Sequence, residues 1–132
     1  MQLTLESDYA IRFVIFLIRH GKRADAKTIS ENTGVTLRFA LKILRKLATG
    51  GVIQSYKGVS GGYELVREPE NITLAEVIGL IEGPYCLSRC LKDDGGSCSH
   101  TDSCECKVSG VLADISREVD RRLRAVTFDR LV

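Results

Sequence analysis

The sequence predicts a mainly α fold with a small β-wing: a winged helix-turn-helix domain plus a long C-terminal helix. Three observations carry that expectation. Two short helical patterns flank a tight turn at Gly34, a glycine-rich segment at 57–62 separates two stretches of strand character, and a long amphipathic pattern closes the chain. Two short helices joined by a tight turn and followed by a β-hairpin make the winged helix-turn-helix motif.

The first helix is expected from Thr4 to His20, apolar on most sides through Ala10, Ile11, Val14, Ile15, Leu17 and Ile18, and ended by Gly21. Asp25 and Thr28 both offer N-caps for a short second helix with Ile29 inward and Gly34 at its close. A third helix, capped by Thr36, reaches about Thr49. Its apolar stripe is Leu37, Ala40, Leu41, Leu44, Leu47 and Ala48, and its opposite stripe is Arg38, Lys42, Arg45 and Thr49. Gly50 and Gly51 stop it, and strands are expected at 52–56 and 63–66, with 57–62 as the hairpin tip. Pro69 breaks the chain, and Thr73 with Glu76 reads as a capping box for a fourth helix that ends at Gly83 and Pro84. The segment from Cys86 to Cys106 has no periodicity. The last helix, about Val108 to Val126, carries one stripe of Val108, Val111, Leu112, Ile115, Val119, Leu123 and Val126. A long amphipathic helix after a finished domain suits packing against a second subunit. The chain thus divides into a DNA-binding domain at 1–83, a cysteine-rich sensor loop at 84–107, and a dimerisation helix with a C-terminal tail at 108–132.

With 44% hydrophobic and 27% charged residues the chain can bury a core, and a net charge of +2 means any basic face must come from local placement. The short apolar run from Phe13 to Ile18 follows Glu6, Asp8 and Arg12 and lacks a small-residue cleavage site, so no signal peptide is expected. No run approaches the ~20 apolar residues of a membrane span. A cytoplasmic protein is the expectation.

The third helix supplies the candidate recognition surface. A recognition helix enters the major groove, about 12 Å wide, and reads base edges from its N-terminal turns. Arg38 lies in the first turn and suits a bidentate pair with guanine, while Lys42 and Arg45 suit phosphates. The candidate contacts are Thr36, Arg38, Phe39, Lys42 and Arg45 on the helix, and Lys57, Gly58, Ser60, Gly61 and Gly62 on the wing, where small residues allow close approach to the DNA backbone or minor groove.

All five cysteines, Cys86, Cys90, Cys98, Cys104 and Cys106, fall within 21 residues. An odd number in a chain without a secretory signal argues against a disulfide framework and for metal or redox chemistry. No C-x2-C pair occurs, so a zinc knuckle is disfavoured. Wide spacing in a glycine-containing loop suits an iron–sulfur cluster. A metal-free thiol/disulfide switch, through Cys86 with Cys90 or Cys104 with Cys106, and a zinc-stabilised structure stay open as alternatives. His100 lies within the loop and His20 at a helix end. Neither sits where it would serve a cysteine nucleophile, and there is no phosphate-binding glycine loop, so an enzyme is not expected.

Several stretches resemble the family of winged-helix regulators typified by IscR, NsrR and RirA: 1–4 with Asp8-Tyr9-Ala10, 57–63 at the wing, 72–78, 106–112 leading into the last helix, and 126–132. The resemblance covers essentially the whole chain, and the wing with the cysteine loop is its specific part. It implies a homodimer whose C-terminal helices cross, a pseudo-palindromic double-stranded DNA operator, and one cluster per protomer held by three loop cysteines. A fourth ligand in some members is an N-terminal acidic residue of the partner, at the place of Asp8. This chain departs from the family's commonest cysteine spacing. The favoured trio is Cys90, Cys98 and Cys106, with Cys104 the rival to Cys106. Some members use histidines that would fall at Arg12 and Thr33, which favours a [4Fe–4S] over a [2Fe–2S] cluster here.

Overall fold

The computed structural model describes residues 2–88, 91 and 106–132. Helix α1 spans Leu5–His20. The Thr4 side chain accepts from the Ser7 N–H, and Gly21, at φ 71°, returns its N–H to the Leu17 carbonyl. Only one face of α1 is fully buried, through Ser7, Ala10, Phe13, Val14 and Leu17, while Ile11, Ile15 and Ile18 are half-covered. Helix α2 spans Ala26–Thr33. Asp25 alone is its cap, accepting from the Thr28 N–H at 2.7 Å, so Thr28 is the donor and not a second cap. Gly34, left-handed at φ 73°, turns the chain into α3, Leu37–Thr49, through a buried Val35.

Helix α3 corrects the expected apolar stripe. Its buried residues are Ala40, Ile43, Leu44 and Leu47, whereas Leu37 and Leu41 stand 46% and 45% exposed. At ~100° per residue the core-facing line runs between Ala40 and Ile43, and Leu41 lies about 120° from it. Ile43, absent from the expected stripe, is fully buried in the observed one.

Strands β1, Ile53–Tyr56, and β2, Gly62–Leu65, pair antiparallel with Ile53 opposite Leu65 and Tyr56 opposite Gly62. Ala24 adds an isolated bridge to β2, exchanging both backbone hydrogen bonds with Tyr63 at 3.0 and 2.7 Å. A short 3-10 turn, Pro69–Asn71, leads to α4, Leu74–Glu82. The capping box at its start is half made. The Thr73 hydroxyl accepts from the Glu76 N–H, but the Glu76 carboxylate turns outward to Arg67 instead of back to the cap.

Helix α5 spans Lys107–Arg124, two residues short of the expected end. Beyond it the chain folds back on the core formed by α1 to α4. The Val126 carbonyl accepts from the Leu74 N–H, the Phe128 N–H donates to the Ile72 carbonyl, and the Phe128 ring is fully buried in the cluster of Phe13, Ile29, Leu44 and Ile72. The tail expected to travel with the last helix is part of the winged-helix core.

Candidate nucleic-acid interface

The buried line of α3 fixes what its other side presents. Arg38, Lys42, Arg45 and Thr49 all lie exposed, opposite Ala40, Ile43, Leu44 and Leu47. Among the described residues Arg38, Arg45 and Lys57 have no hydrogen-bond or ion-pair partner, so their cations are available to an anionic ligand. Lys42 differs: its ammonium donates to Glu6 Oε1 at 2.6 Å, and Lys46 reaches Glu6 Oε2 at 3.1 Å. These hydrogen bonds, from Lys42 first and Lys46 second, hold the Glu6 carboxyl below its ordinary range. Phe39 lies on the flank of α3 and is 47% exposed. It faces an open cleft of about 840 Å³ shared with Leu3, Ile81, Cys86, Val119 and Leu123, away from the Arg38–Arg45 line. Thr36 stands exposed at the helix start without a side-chain capping bond.

At the wing, Lys57, Gly58, Val59 and Ser60 form the exposed tip, and the Gly61 N–H closes it onto the Gly58 carbonyl at 2.9 Å. Gly62 lies inside β2, not at the tip. A Cβ there would stand 2.6 Å from the Ala24 carbonyl oxygen, so this glycine lets the Ala24 strand approach. Gly61 is likewise hemmed in by the Tyr56 and Gly58 carbonyls. Both glycines therefore shape the turn, and the surface it offers is Lys57 to Ser60.

A cluster that sequence reasoning missed sits behind the wing. The Arg23 guanidinium lies over the Tyr56 ring, 3.4 Å from its centroid, donates from Nη1 to the Ser60 carbonyl at 3.1 Å, and places Nη2 3.5 Å from Glu64. A hydrogen bond to Glu64 raises the Tyr56 phenol above its ordinary range. Arg23 stands 37 residues before Ser60, and no local motif links the two.

Of the clustered cysteines, Cys90, Cys98 and Cys104 lie outside the described residues. Cys106 is the N-cap residue of α5, half-buried and making no side-chain capping bond. Cys86 is also half-buried and free, on the cleft beside the N-terminal residues. Asp8 is paired to Arg12 at 2.7 Å one helical turn away, both half-exposed. Among the described residues no group of three or more His, Cys, Asp or Glu side chains is gathered as metal ligands would be. The start of α1 is tied to the end of α4, because Glu82 Oε1 accepts from the Thr4 N–H and the buried Ser7 hydroxyl, each at 2.7 Å.

A family model described as "Rrf2: Iron-dependent Transcriptional regulator" matches residues 3–132. The chain is similar to the HTH-type transcriptional regulator NsrR of Shouchella clausii, 30% identical over 114 residues that span 85% of this chain and 75% of that protein. Two solved structures share its fold. T. potens IscR superposes with a TM-score of 0.76 at 21% identity, over 99% of this chain and 85% of that one. CymR, the global cysteine regulator of B. subtilis, superposes with a TM-score of 0.77 at 20% identity, over 99% and 95%. Five described helices and a two-stranded antiparallel sheet are the winged-helix arrangement of these regulators.

Proposed function

The chain belongs to the Rrf2 family of transcriptional regulators, and from that premise we propose a homodimeric, cytoplasmic repressor that reads a pseudo-palindromic DNA operator and senses iron, nitric oxide or redox state through an iron–sulfur cluster. The observation that carries the DNA half is the exposed cationic side of α3 opposite its buried one. In this proposal Arg38 reads a base edge, Lys42, Arg45 and Lys57 meet phosphates, and Thr36, Gly58 and Ser60 approach the backbone. No described helix is long and apolar enough to cross a membrane.

The dimer is proposed to form through α5. Val108, Val111 and Ile115 are 65%, 57% and 45% exposed, while Leu112, Val119 and Leu123 are half-covered by the rest of the chain. A row of apolar side chains on three successive turns, left in water, suits burial against a second copy. Two such copies would set recognition helices to half-sites about 34–36 Å apart.

The cluster would be held by Cys90, Cys98 and Cys106, with Cys104 the rival to Cys106 and Asp8 of the partner a fourth ligand, and [4Fe–4S] favoured. Thiolates are the ligands such clusters take, and when bound the cluster supplies iron- and redox-responsive chemistry. Cys106 fits this role by position. It stands at the N-terminal end of α5, where orphan N–H groups favour negative charge, and its sulfur is committed to no cap. Through Cys106 the state of the loop would bear directly on α5, and through Asp8 on the Asp8–Arg12 pair of α1.

The test is purification without oxygen, with iron, acid-labile sulfide and visible absorption read on one sample and operator affinity measured before and after cluster removal. A brown protein with sulfide matching iron, whose DNA affinity changes on removal, is expected. Equal affinity of both forms would refute the coupling. A colourless protein even after reconstitution would move the sensor to a thiol/disulfide switch, or to zinc if zinc is found.

A further inference from the structure

We propose that Arg23 is a positioning residue for DNA recognition, clamping the wing in its DNA-contacting shape before DNA arrives. This assignment rests on the proposed DNA contacts of the wing.

A two-stranded hairpin is marginal by itself in water, and the tip from Lys57 to Gly61 is fully on the surface or close to it. What stiffens it must come from outside the hairpin. Ala24 supplies one constraint, a single backbone rung on Tyr63. Arg23 supplies the other, and one guanidinium touches all three parts of the wing. It stacks on Tyr56 at the end of β1, donates to the Ser60 carbonyl in the tip, and reaches Glu64 in β2. The planar, forked shape of arginine suits stacking and two diverging contacts together, which an ammonium cannot reproduce. The arrangement carries a cost, because Arg23 Nε is buried without a hydrogen-bond partner, a feature that calls for a compensating role. The Ser60 contact bears on function most directly. Ser60 follows Lys57 by three residues in a turn closed by Gly58 and Gly61, so fixing the Ser60 carbonyl fixes where Lys57 stands relative to α3. A wing ordered in advance loses less conformational freedom when DNA binds.

The experiment measures binding of the full chain to a duplex selected from random DNA by the wild type, across a salt series. Thermal unfolding is followed on the same samples. The variants are Arg23→Ala, Arg23→Lys, Lys57→Ala, the Arg23→Ala/Lys57→Ala double, and Arg38→Ala alone and combined with Arg23→Ala as a recognition-helix control. Arg23→Ala is expected to stay folded and bind about tenfold more weakly, with Arg23→Lys failing to restore affinity. Lys57→Ala is expected to weaken binding and flatten the salt dependence by about one phosphate contact in the wild type, and to do little in the Arg23→Ala background. Arg38→Ala is expected to cost the same factor with either residue at 23.

Wild-type affinity and salt dependence in Arg23→Ala would overturn the assignment, as would an equal cost of Lys57→Ala in both backgrounds. If Arg23→Ala loses its fold, Tyr56→Leu, which removes the ring beneath the guanidinium, takes its place as the background for Lys57→Ala. A smaller cost of Lys57→Ala there than in the wild type supports the clamp, and an equal cost overturns it. A wild type that binds no duplex overturns the DNA-binding function itself. Intact binding with no Lys57 coupling overturns only the role of Arg23.

Discussion

At the scale of single residues, charge on α3 is divided between free and occupied cations. Arg38 has no partner among the described residues and lies in the first turn, so Arg38→Ala is expected to cost about 1–3 kcal/mol at the cognate operator and to relax preference at one base, measured by competition with single-base variants. Lys42 and Lys46 are both held by the Glu6 carboxylate. Glu6→Gln is expected to release both and tighten binding to operator and random DNA alike, with a steeper salt dependence. Because its folded pKa lies below the ordinary 4.5, Glu6 contributes stability that is present above that value and lost as pH falls through the lowered one. Glu6→Gln should therefore blunt the acid limb of an unfolding-versus-pH curve, and an unchanged limb would refute the pairing in solution. The cationic side of α3 was legible in the sequence, since helical period alone sets Arg38, Lys42 and Arg45 together. The Glu6 pair was not, because it joins residues 36 and 40 positions apart whose encounter depends on how α1 crosses α3.

At the scale of elements, local signals served best where the structure answers to local chemistry. Asp25, Thr73, Gly21 and Gly34 each stand at the helix end that their side chain or backbone freedom suits. They served less well where two elements compete for one group. Glu76 could complete its own cap, yet Arg67 is nearer an ideal partner for a carboxylate, and tertiary contact wins. The wing was visible in its glycines, but period and turn chemistry place Gly62 at the tip, whereas the approach of Ala24 draws it into β2. Thr73→Ala, which removes the cap that remains, should lower stability by about 1 kcal/mol in denaturant titration. The segment from Cys86 to Cys106 offered its cysteines and their spacing and no more, because a sequence without periodicity says nothing about how its side chains meet.

At the scale of the whole molecule, the exposed row on α5 and the buried tail make opposite demands. Val111→Asp with Ile115→Asp places two charges on the row while leaving the covered side of α5 intact. A monomer by sedimentation, with weakened operator binding, is the expected result, and an unchanged mass would refute the proposed dimer surface. Phe128→Ala, at the far end of the same segment, should instead cost about 3–5 kcal/mol of stability, read by thermal or denaturant unfolding, because its ring is fully buried in the core cluster that holds Phe13 and Leu44. Nothing in the sequence near Phe128 marks it as core; its apolar neighbours continue the pattern of α5, and only the bridge between Thr73 and Thr127 reveals where the chain goes. That return has a consequence for biosynthesis. Chains emerge from the ribosome N-terminus first and domains fold as units when their sequence is complete. Here the winged-helix core cannot be completed until Phe128 has left the exit tunnel, so α5 is already synthesised while α3 still lacks its final support. Pairing through α5 and closure of the reading head would then compete within one interval of synthesis, and a chain arrested before Phe128 would not yield a stable DNA-binding fragment.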